Sequence, residues 1–221
     1  FNQALTNEQE VESYLKNIII EKKQINNAED WLFSKIGKDL TDIFYRPYTK
    51  KMWNLDLKDL SYKIVQRIKF SFSNEKRYFP NDTIQFMPSK GYTELFNKLL
   101  DHKNIQIFLS EEFNKSMLKD FVFCFNSMPI DEYFKFEYGT LPYRSIKFNH
   151  IILKADNSKG HVTINYSDSS KFTRETWWHN IPNHHEMDRG LFVKTIEEPC
   201  DYQDNNFERY YPVKTSDDKY G

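Results

Sequence analysis

Hydrophobic residues recur at every third or fourth position in the first third of the chain, which is the spacing of amphipathic helices. The first helix is predicted to begin at Thr6, a residue type that caps helices, and to end near Glu21. Asn27 is predicted to cap a second helix that Gly37 ends, and a third is expected over residues 39–45. The pattern therefore predicts a small helical bundle.

A short fourth helix is predicted after Pro47, which interrupts the preceding one. Tyr48 and Met52 fall on one face of this helix, and Thr49 lies one turn before Trp53. One turn of helix can therefore present an aromatic ring and a hydroxyl group to the same ligand.

From residue 70 onward the hydrophobic positions mostly alternate with polar ones, which is typical of strands. A helix that starts after Gly91 is expected to bury Leu95, Phe96, Leu99 and Leu100, and Ile105 begins a predicted short strand. The apolar run at residues 121–125, which includes Cys124, predicts a strand buried on both faces. Further strands are predicted at residues 143–148, 151–153, 162–166, 172–178 and 191–196.

The predicted fold class is α+β, with a small helical bundle followed by a mostly antiparallel β-sheet with short helices. We divide the chain into a helical domain with a flap loop at residues 1–69 and a sheet domain at residues 70–221. The helices of the first domain could serve dimerisation as well as ligand binding, so a homodimer is one interpretation of their amphipathic faces.

The composition fits a globular protein, since 39% of the 221 residues are hydrophobic and 17% are aromatic. The 31 lysines and arginines balance 32 acidic residues, so the overall charge indicates no affinity for nucleic acid or anionic membranes. The longest apolar run is too short to span a bilayer, and the first residues lack a secretion signal. We therefore expect a cytoplasmic protein.

Several common cofactor signals are missing from the sequence. The six glycines form no G-x-G-x-x-G turn of the kind that binds dinucleotides. Two cysteines are too few for a disulfide framework or a zinc site. The run His184-His185-Glu186 has no third ligand at a suitable spacing, so a solvated loop is expected there rather than a metal site.

Aromatic side chains alternate with cations between residues 48 and 78. This combination suits an anionic ligand with a flat ring, because aromatic rings stack on a base and arginine matches phosphate oxygens. In the alternative interpretation Trp53, Phe70 and Phe72 are core residues and Arg67 is a solvated surface charge. The residue pattern alone leaves both interpretations open.

Seven segments resemble bacterial UDP-galactopyranose mutases, in the same order along the chain. They are Tyr48-Thr49-Lys50-Lys51-Met52-Trp53, Ile64-Val65-Gln66-Arg67-Ile68, Tyr78-Phe79, Pro88-Ser89-Lys90-Gly91-Tyr92-Thr93, Pro129-Ile130-Asp131-Glu132-Tyr133-Phe134, Gly139-Thr140-Leu141-Pro142-Tyr143-Arg144-Ser145 and Tyr210-Tyr211-Pro212-Val213. The resemblance implies an isomerase that interconverts pyranose and furanose forms of UDP-galactose or a related UDP-sugar for polysaccharide synthesis. In that family reduced FAD is the nucleophile and UDP leaves and returns.

The resemblance also implies roles for individual residues. Arg67, on the flap loop, and Arg174 would act catalytically on the diphosphate, and Arg144 would lie on the cofactor side. The implied substrate contacts are Phe44, Tyr48, Thr49, Trp53, Tyr78, Phe79, Asn165, Tyr210 and Tyr211. Which of the last two tyrosines contacts the phosphates stays open.

The family holds FAD with segments at both ends that are not recognised in this sequence. The resemblance therefore implies that the chain corresponds to a central portion that alone neither binds FAD nor catalyses the reaction. Pro47, Asn54 and Trp177-Trp178-His179 depart from the family pattern, so UDP recognition is better supported than galactose recognition. A noncatalytic UDP-sugar-binding or assembly module without flavin is the alternative, and the sugar and oligomeric state stay open.

Overall fold

The computed structural model describes residues 4–67, 70, 81–84, 87–181 and 190–214. The chain forms two compact units, the first from Phe1–Phe86 with Tyr143–Gly221 and the second from Met87–Pro142. The first unit contains a helical bundle and a β-sheet, while the second contains short helices and irregular chain. The division into domains at residues 69 and 70 stays a prediction.

The helices of the first unit follow the local signals of the sequence closely. They are α1 at Glu8–Ile18, α2 at Ala28–Leu40, a π-helical turn at Thr41–Tyr45, α3 at Arg46–Trp53 and α4 at Lys63–Gln66. The cap of α1 is Asn7 rather than Thr6, because the Asn7 side chain accepts a hydrogen bond from the Glu10 backbone N–H at 2.9 Å. This helix also ends before the predicted Glu21.

The predicted start of α2 is confirmed, and Gly37, the predicted end, interrupts the helix three residues before its last residue. The side-chain oxygen of Asn27 accepts a hydrogen bond from the Asp30 backbone N–H at 2.9 Å, which caps the helix. Gly37 has φ 71° and ψ 179°, so the regular helix is interrupted there. A Cβ atom on Gly37 would lie 2.3 Å from the carbonyl oxygen of Ile18, so the end of α1 can approach only a glycine.

The core of the first unit lies where α2 packs against the chain that follows α3. Its members all belong to the helical part of the unit. They are Ala28, Leu32, Ile36, Leu57, Leu60 and Val65. The aromatic rings of Trp31, Tyr45, Trp53 and Phe70 pack against this cluster and are only partly buried, so they can line a cavity as well.

Among the residues that the structure describes, five strands form one antiparallel sheet, which confirms the α+β class. They are β1 at Tyr143–Leu153, β2 at Thr163–Asn165, β3 at Arg174–Trp177, β4 at Phe192–Asp201 and β5 at Tyr211–Pro212, in the order β2-β3-β4-β1-β5. The two predicted strands at residues 143–148 and 151–153 are parts of the single strand β1. This strand pairs with β4 from Arg144 opposite Asp201 to Leu153 opposite Phe192.

The second unit departs most from the sequence-based prediction. Helix α5 occupies Gly91–Leu100 as expected, and α6 occupies Ile130–Tyr133. The predicted buried face of α5 is wrong, since none of its residues is buried. The strands predicted from Ile105 and at residues 121–125 are also wrong, because no described residue of this unit belongs to a strand.

The apolar run at residues 121–125 is exposed in this structure. Phe125 is 99% exposed, and Cys124, which we expected in the core, is exposed as well. Burial on both faces of a sheet requires neighbouring strands, and no strand pairs with the described residues of this run. Within the described ranges, no helix has the length and apolar character that a bilayer crossing requires.

Candidate functional site

A pocket of about 610 Å³ lies in the first unit, between the helical bundle and the sheet. This volume is in the range typical of small-molecule sites, which is roughly 300–1,000 Å³. Its lining combines aromatic, aliphatic and cationic side chains. They are Ile36, Leu40, Phe44, Tyr45, Tyr48, Thr49, Trp53, Ile64, Val65, Arg67, Phe70, Asn165, Ser167 and Arg174.

One side of the pocket, the helical wall, is formed by Phe44 and Tyr45 of the π-helical turn and by Tyr48, Thr49 and Trp53 of α3. A proline near the start of α3 sets its first turn. Tyr48 and Thr49 lie five and four positions before Trp53, about one helical turn, so one short helix presents all three to the pocket. The predicted grouping of an aromatic ring with a hydroxyl on this helix is present.

The opposite side, the sheet wall, is formed by Asn165 at the end of β2 and Arg174 at the start of β3. These two residues are opposite each other in the antiparallel pair. The Nε atom of Arg174 donates to Oδ1 of Asn165 at 3.1 Å, and its Nη1 atom lies 3.7 Å from Oε1 of Glu197. Arg174 is therefore held in place while 38% of its side chain stays exposed.

The two walls meet at Tyr48 and Arg174, which are close enough for the charge of Arg174 to act on the Tyr48 hydroxyl. Burial raises the pKa of the Tyr48 hydroxyl above its usual value of 10.0, although the charge of Arg174 opposes this shift. The hydroxyl therefore stays protonated near neutral pH. Tyr48 offers a neutral hydroxyl group beside a permanent cation, which suits an anionic ligand.

Phe70 also lines the pocket. The Phe70 ring stacks on Trp31 with centroids 5.6 Å apart and meets the edge of Tyr45 at 6.0 Å. Phe70 and Trp53 thus belong both to the margin of the core and to the pocket, so the two interpretations of these rings are compatible. Arg67 follows α4, is exposed, and lines the pocket.

The structure distinguishes the two neighbouring tyrosines near the end of the chain. Tyr211 packs against Trp53 with ring centroids 6.1 Å apart, whereas Tyr210 packs against Phe148 at 5.8 Å. Tyr211 is therefore the one that lies beside the helical wall. Three predicted site or core residues, Phe72, Tyr78 and Phe79, lie outside the described residues, as does the metal candidate His184-His185-Glu186.

Arg144 lies away from the pocket lining, on β1. Its Nε atom donates to the carbonyl oxygen of Met52 at 3.1 Å, and its Nη2 atom donates to that of Lys51 at 3.3 Å. The Nη1 atom pairs with Asp201, and the residue is only 7% exposed. Arg144 thus stabilises the end of α3, and its assignment to a cofactor stays a prediction.

Several lining residues were not predicted from the sequence, notably Ser167 and the aliphatic side chains of the helical bundle. Leu40 directly precedes the π-helical turn and Tyr45 is its last residue, and π-helical insertions are frequent at functional sites. A one-residue insertion in a helix changes which side chains share a face, and the hydrophobic pattern does not reveal it. Among the described residues no group of three potential metal ligands occurs.

Comparison with known proteins gives one consistent result. A family model described as UDP-galactopyranose mutase matches residues 43–220. The chain is 31% identical over 180 residues to a probable UDP-galactopyranose mutase of Klebsiella pneumoniae, covering 81% of the chain and 46% of the relative. It is 28% identical over 193 residues to the dTDP-fucopyranose mutase of Escherichia coli, covering 84% and 50%.

A third relative extends the match towards the amino terminus of the chain. The UDP-galactopyranose mutase of Mycoplasma genitalium is 26% identical over 218 residues, covering 93% of the chain and 54% of the relative. The chain spans about half the length of the curated relatives it matches.

Proposed function

Because the chain belongs to the UDP-galactopyranose mutase family, we propose that it supplies the nucleotide-sugar site of a flavin-dependent mutase. The reaction would interconvert the pyranose and furanose forms of a UDP-sugar for cell-surface polysaccharide synthesis. Two of the relatives are named for UDP-galactose and one for dTDP-fucose, so both the base and the sugar need to be tested directly.

The observation that carries the proposal is the meeting of an aromatic wall with Arg174 in a pocket of about 610 Å³. A pyrimidine base would stack among the rings of the helical wall, as aromatic rings favour flat partners. The diphosphate would lie at the sheet wall, where Arg174 can offer donors in the planar arrangement that matches phosphate oxygens. Arg67, which also lines the pocket, would add a second positive charge.

The side chains of this chain would act by binding and by charge neutralisation. When the bond between the sugar and UDP breaks, negative charge develops on the diphosphate, and preorganised cations stabilise it without reorganisation. The hydroxyl of Tyr48 is positioned to donate to a phosphate oxygen beside Arg174. Of the two neighbouring tyrosines, Tyr211 is the better candidate for a phosphate contact, because it is close enough to interact electrostatically with Tyr48, the neighbour of Arg174.

In the family the covalent chemistry at the sugar belongs to reduced FAD. Arg144, the side chain assigned to this cofactor, is only 7% exposed and each of its three nitrogens contacts a protein acceptor, so its donors are already used within the protein. We therefore assign the described side chains to the nucleotide sugar alone. The chain by itself is expected neither to retain FAD nor to turn over substrate.

Titration of UDP into the 221-residue chain, followed by tryptophan fluorescence and by calorimetry, tests the proposal. We expect saturable binding that Trp53→Ala abolishes and that Arg174→Ala weakens about tenfold or more, since hydrogen bonds to charged groups contribute about 1.5–3 kcal/mol. Lys171→Ala is the matched control, because Lys171 is exposed on the same hairpin and does not line the pocket. It should change affinity less than twofold.

Uridine provides a second control, because it lacks the diphosphate. Trp53→Ala should weaken uridine and UDP alike, whereas Arg174→Ala should weaken UDP alone. Saturable binding of UDP that is insensitive to both substitutions would contradict the assignment of the site. Titration of dTDP in parallel decides which base the pocket prefers.

Turnover is tested separately, by incubating the chain with reduced FAD and UDP-galactose and separating the two sugar forms by chromatography. The same assay is run with a protein in which this chain is joined to a flavin-binding domain. Turnover by the longer protein supports the mutase. Binding of UDP without turnover by either protein would support a noncatalytic UDP-sugar-binding module instead.

A further inference from the structure

Lys51 reaches from α3 to the turn that connects β2 with β3. Its Nζ atom donates to the carbonyl oxygens of Tyr166 at 2.8 Å and Phe172 at 2.6 Å, and it lies 3.4 Å from Oδ1 of Asp168. The lysine side chain is only 13% exposed. An ammonium group has three protons. These three oxygens match them, so Lys51 bridges two parts of the protein rather than offering donors to a ligand.

The turn itself is arranged around this ammonium group. The Asp168 carboxylate accepts hydrogen bonds from the Ser170 backbone N–H at 3.0 Å and from its hydroxyl at 2.6 Å. The backbone N–H of Tyr166 donates to the carbonyl oxygen of Thr173 at 2.9 Å, which closes the turn. Two carbonyl oxygens and a carboxylate therefore converge on one cation, and removing the cation would leave partly buried acceptors unpaired.

The ends of this turn carry the sheet wall of the pocket. Tyr166 directly follows Asn165, and Phe172 lies two residues before Arg174. On the other side, Lys51 belongs to the short helix that carries the helical wall. The Lys51 side chain therefore contacts the backbone after β2 and the backbone before β3, at Tyr166 and Phe172. The backbone of Lys51 itself belongs to α3, which carries the helical wall.

We propose that Lys51 is a positioning residue that fixes the spacing between the helical wall and the sheet wall, and thereby presents Arg174 and Asn165 to the ligand. Its importance for a diphosphate rests on the proposed function. The positioning itself is a property of the folded chain and can be tested without a ligand.

Arg144 makes it possible to separate this role from the stability of α3. The carbonyl oxygens at the end of α3, those of Lys51 and Met52, are bound by Arg144 on β1. The helix is thus anchored to the sheet at a second point when the Lys51 side chain is removed. Loss of the ammonium group should loosen the turn at residues 166–173 rather than unfold the helix.

Hydrogen exchange of the backbone amides tests the positioning directly, in Lys51→Met and in Lys50→Met as a matched control. Lys50 precedes Lys51 on α3, is 50% exposed, and pairs with Asp56 at a distance of 3.5 Å on the surface. In Lys51→Met we expect exchange over residues 165–174 to rise about 10- to 100-fold, because hydrogen bonds to a charged group are lost. Lys50→Met should leave it unchanged.

Unchanged protection in Lys51→Met would overturn the proposal, whether or not the protein binds UDP. A rise of similar size in the Lys50 variant would overturn it as well, since the effect would then follow from charge alone. Protection that falls throughout α3 in Lys51→Met would also contradict it, because the lysine would then support the helix and not the turn.

A double-mutant cycle connects the position of the turn to binding. Lys51→Met should weaken UDP about tenfold in the parent protein but less than twofold in an Arg174→Ala background, because the positioned arginine is already absent. Equal losses in both backgrounds would overturn the link to Arg174. If the parent protein fails to bind UDP, the proposed function is refuted, and the exchange experiment still decides the role of Lys51.

Discussion

Gly37 is the position at which the structure predicts the most severe effect of a single added methyl group. Its backbone has φ 71° and ψ 179°, a region that is essentially restricted to glycine. A Cβ atom there would lie 2.3 Å from the carbonyl oxygen of Ile18 and 2.9 Å from its carbonyl carbon. Both atoms belong to the backbone, so they cannot move aside as the end of a flexible side chain would.

Two separate costs make up the expected loss of stability in Gly37→Ala. The backbone conformation costs of order 1–3 kcal/mol for a residue other than glycine. Displacing the end of α1 adds about 1–3 kcal/mol, which is the usual cost of overpacking. The free energy of unfolding should therefore fall by about 2–6 kcal/mol. The substitution lies near the end of α2, four residues before the π-helical turn that lines the pocket, so UDP binding should weaken as well.

Gly160→Ala separates the two costs. Gly160 also has a positive φ, 77°, but a Cβ atom there would meet nothing within 4 Å. It belongs to the first unit, as do all four tryptophans, so fluorescence in a urea titration reports the unfolding of the unit that contains both glycines. Gly37→Ala should lose more stability than Gly160→Ala by about 1–3 kcal/mol. Equal losses would show that the contact with Ile18 contributes nothing.

Further predictions concern the cations and carboxylates around the sheet. Arg144→Met should lower the free energy of unfolding in urea by about 2–4 kcal/mol, because the carbonyl groups of Lys51 and Met52 lose their donors. Burial tends to raise the pKa of Glu175, but the hydrogen bonds around its carboxylate outweigh burial and lower the pKa below its usual 4.5. The stability that this lowered pKa contributes is present above the pKa of Glu175 in the unfolded chain, and it is lost as the pH falls through the pKa of Glu175 in the folded protein. The urea midpoint should therefore fall more steeply on acidification in the parent than in Glu175→Gln. Burial, aided by a hydrogen bond to Glu175, raises the pKa of Tyr166 from 10.0 to about 12. The stability that the protonated Tyr166 contributes is therefore present below the pKa of Tyr166 in the unfolded chain, and it is lost as the pH rises from that value towards the raised pKa in the folded protein. The stability difference between the parent and Tyr166→Phe should accordingly shrink in urea titrations from about pH 10 upward.

The helical bundle could be predicted because its signals are local. The Asn27 cap and the interruption at Gly37 depend on residues a few positions away, and both are present in the structure. The short helix after Pro47 also has the predicted register, which brings Tyr48 and Trp53 to one pocket. Caps, glycines and prolines act through the backbone of their own neighbourhood, so the sequence is sufficient to identify them.

Burial could not be predicted in the same way. The run at residues 121–125 and the apolar face of α5 both have patterns typical of core elements, yet Phe125 is 99% exposed and none of the α5 residues is buried. A hydrophobic pattern indicates which residues of an element could be buried. Whether they are buried depends on which other parts of the structure pack against that element. The π-helical turn at Thr41–Tyr45 was missed for a related reason, since it is compatible with the same hydrophobic spacing.

The roles of the individual cations could be assigned only with the structure. Lys51, Arg144 and Arg174 each have an apolar or aromatic residue within two positions, and these neighbours give no means of ranking them. The difference lies in acceptors that are remote along the chain, since Lys51 binds a carbonyl group 121 residues away and Arg144 binds one 92 residues away. Both side chains are almost fully enclosed by these contacts, whereas Arg174 is held through Asn165 and keeps 38% of its side chain exposed towards the pocket. A cation can serve a ligand only where the fold leaves some of its donors accessible, so Lys51 and Arg144 support the walls of the pocket, while Arg174 keeps part of its side chain accessible for the proposed ligand.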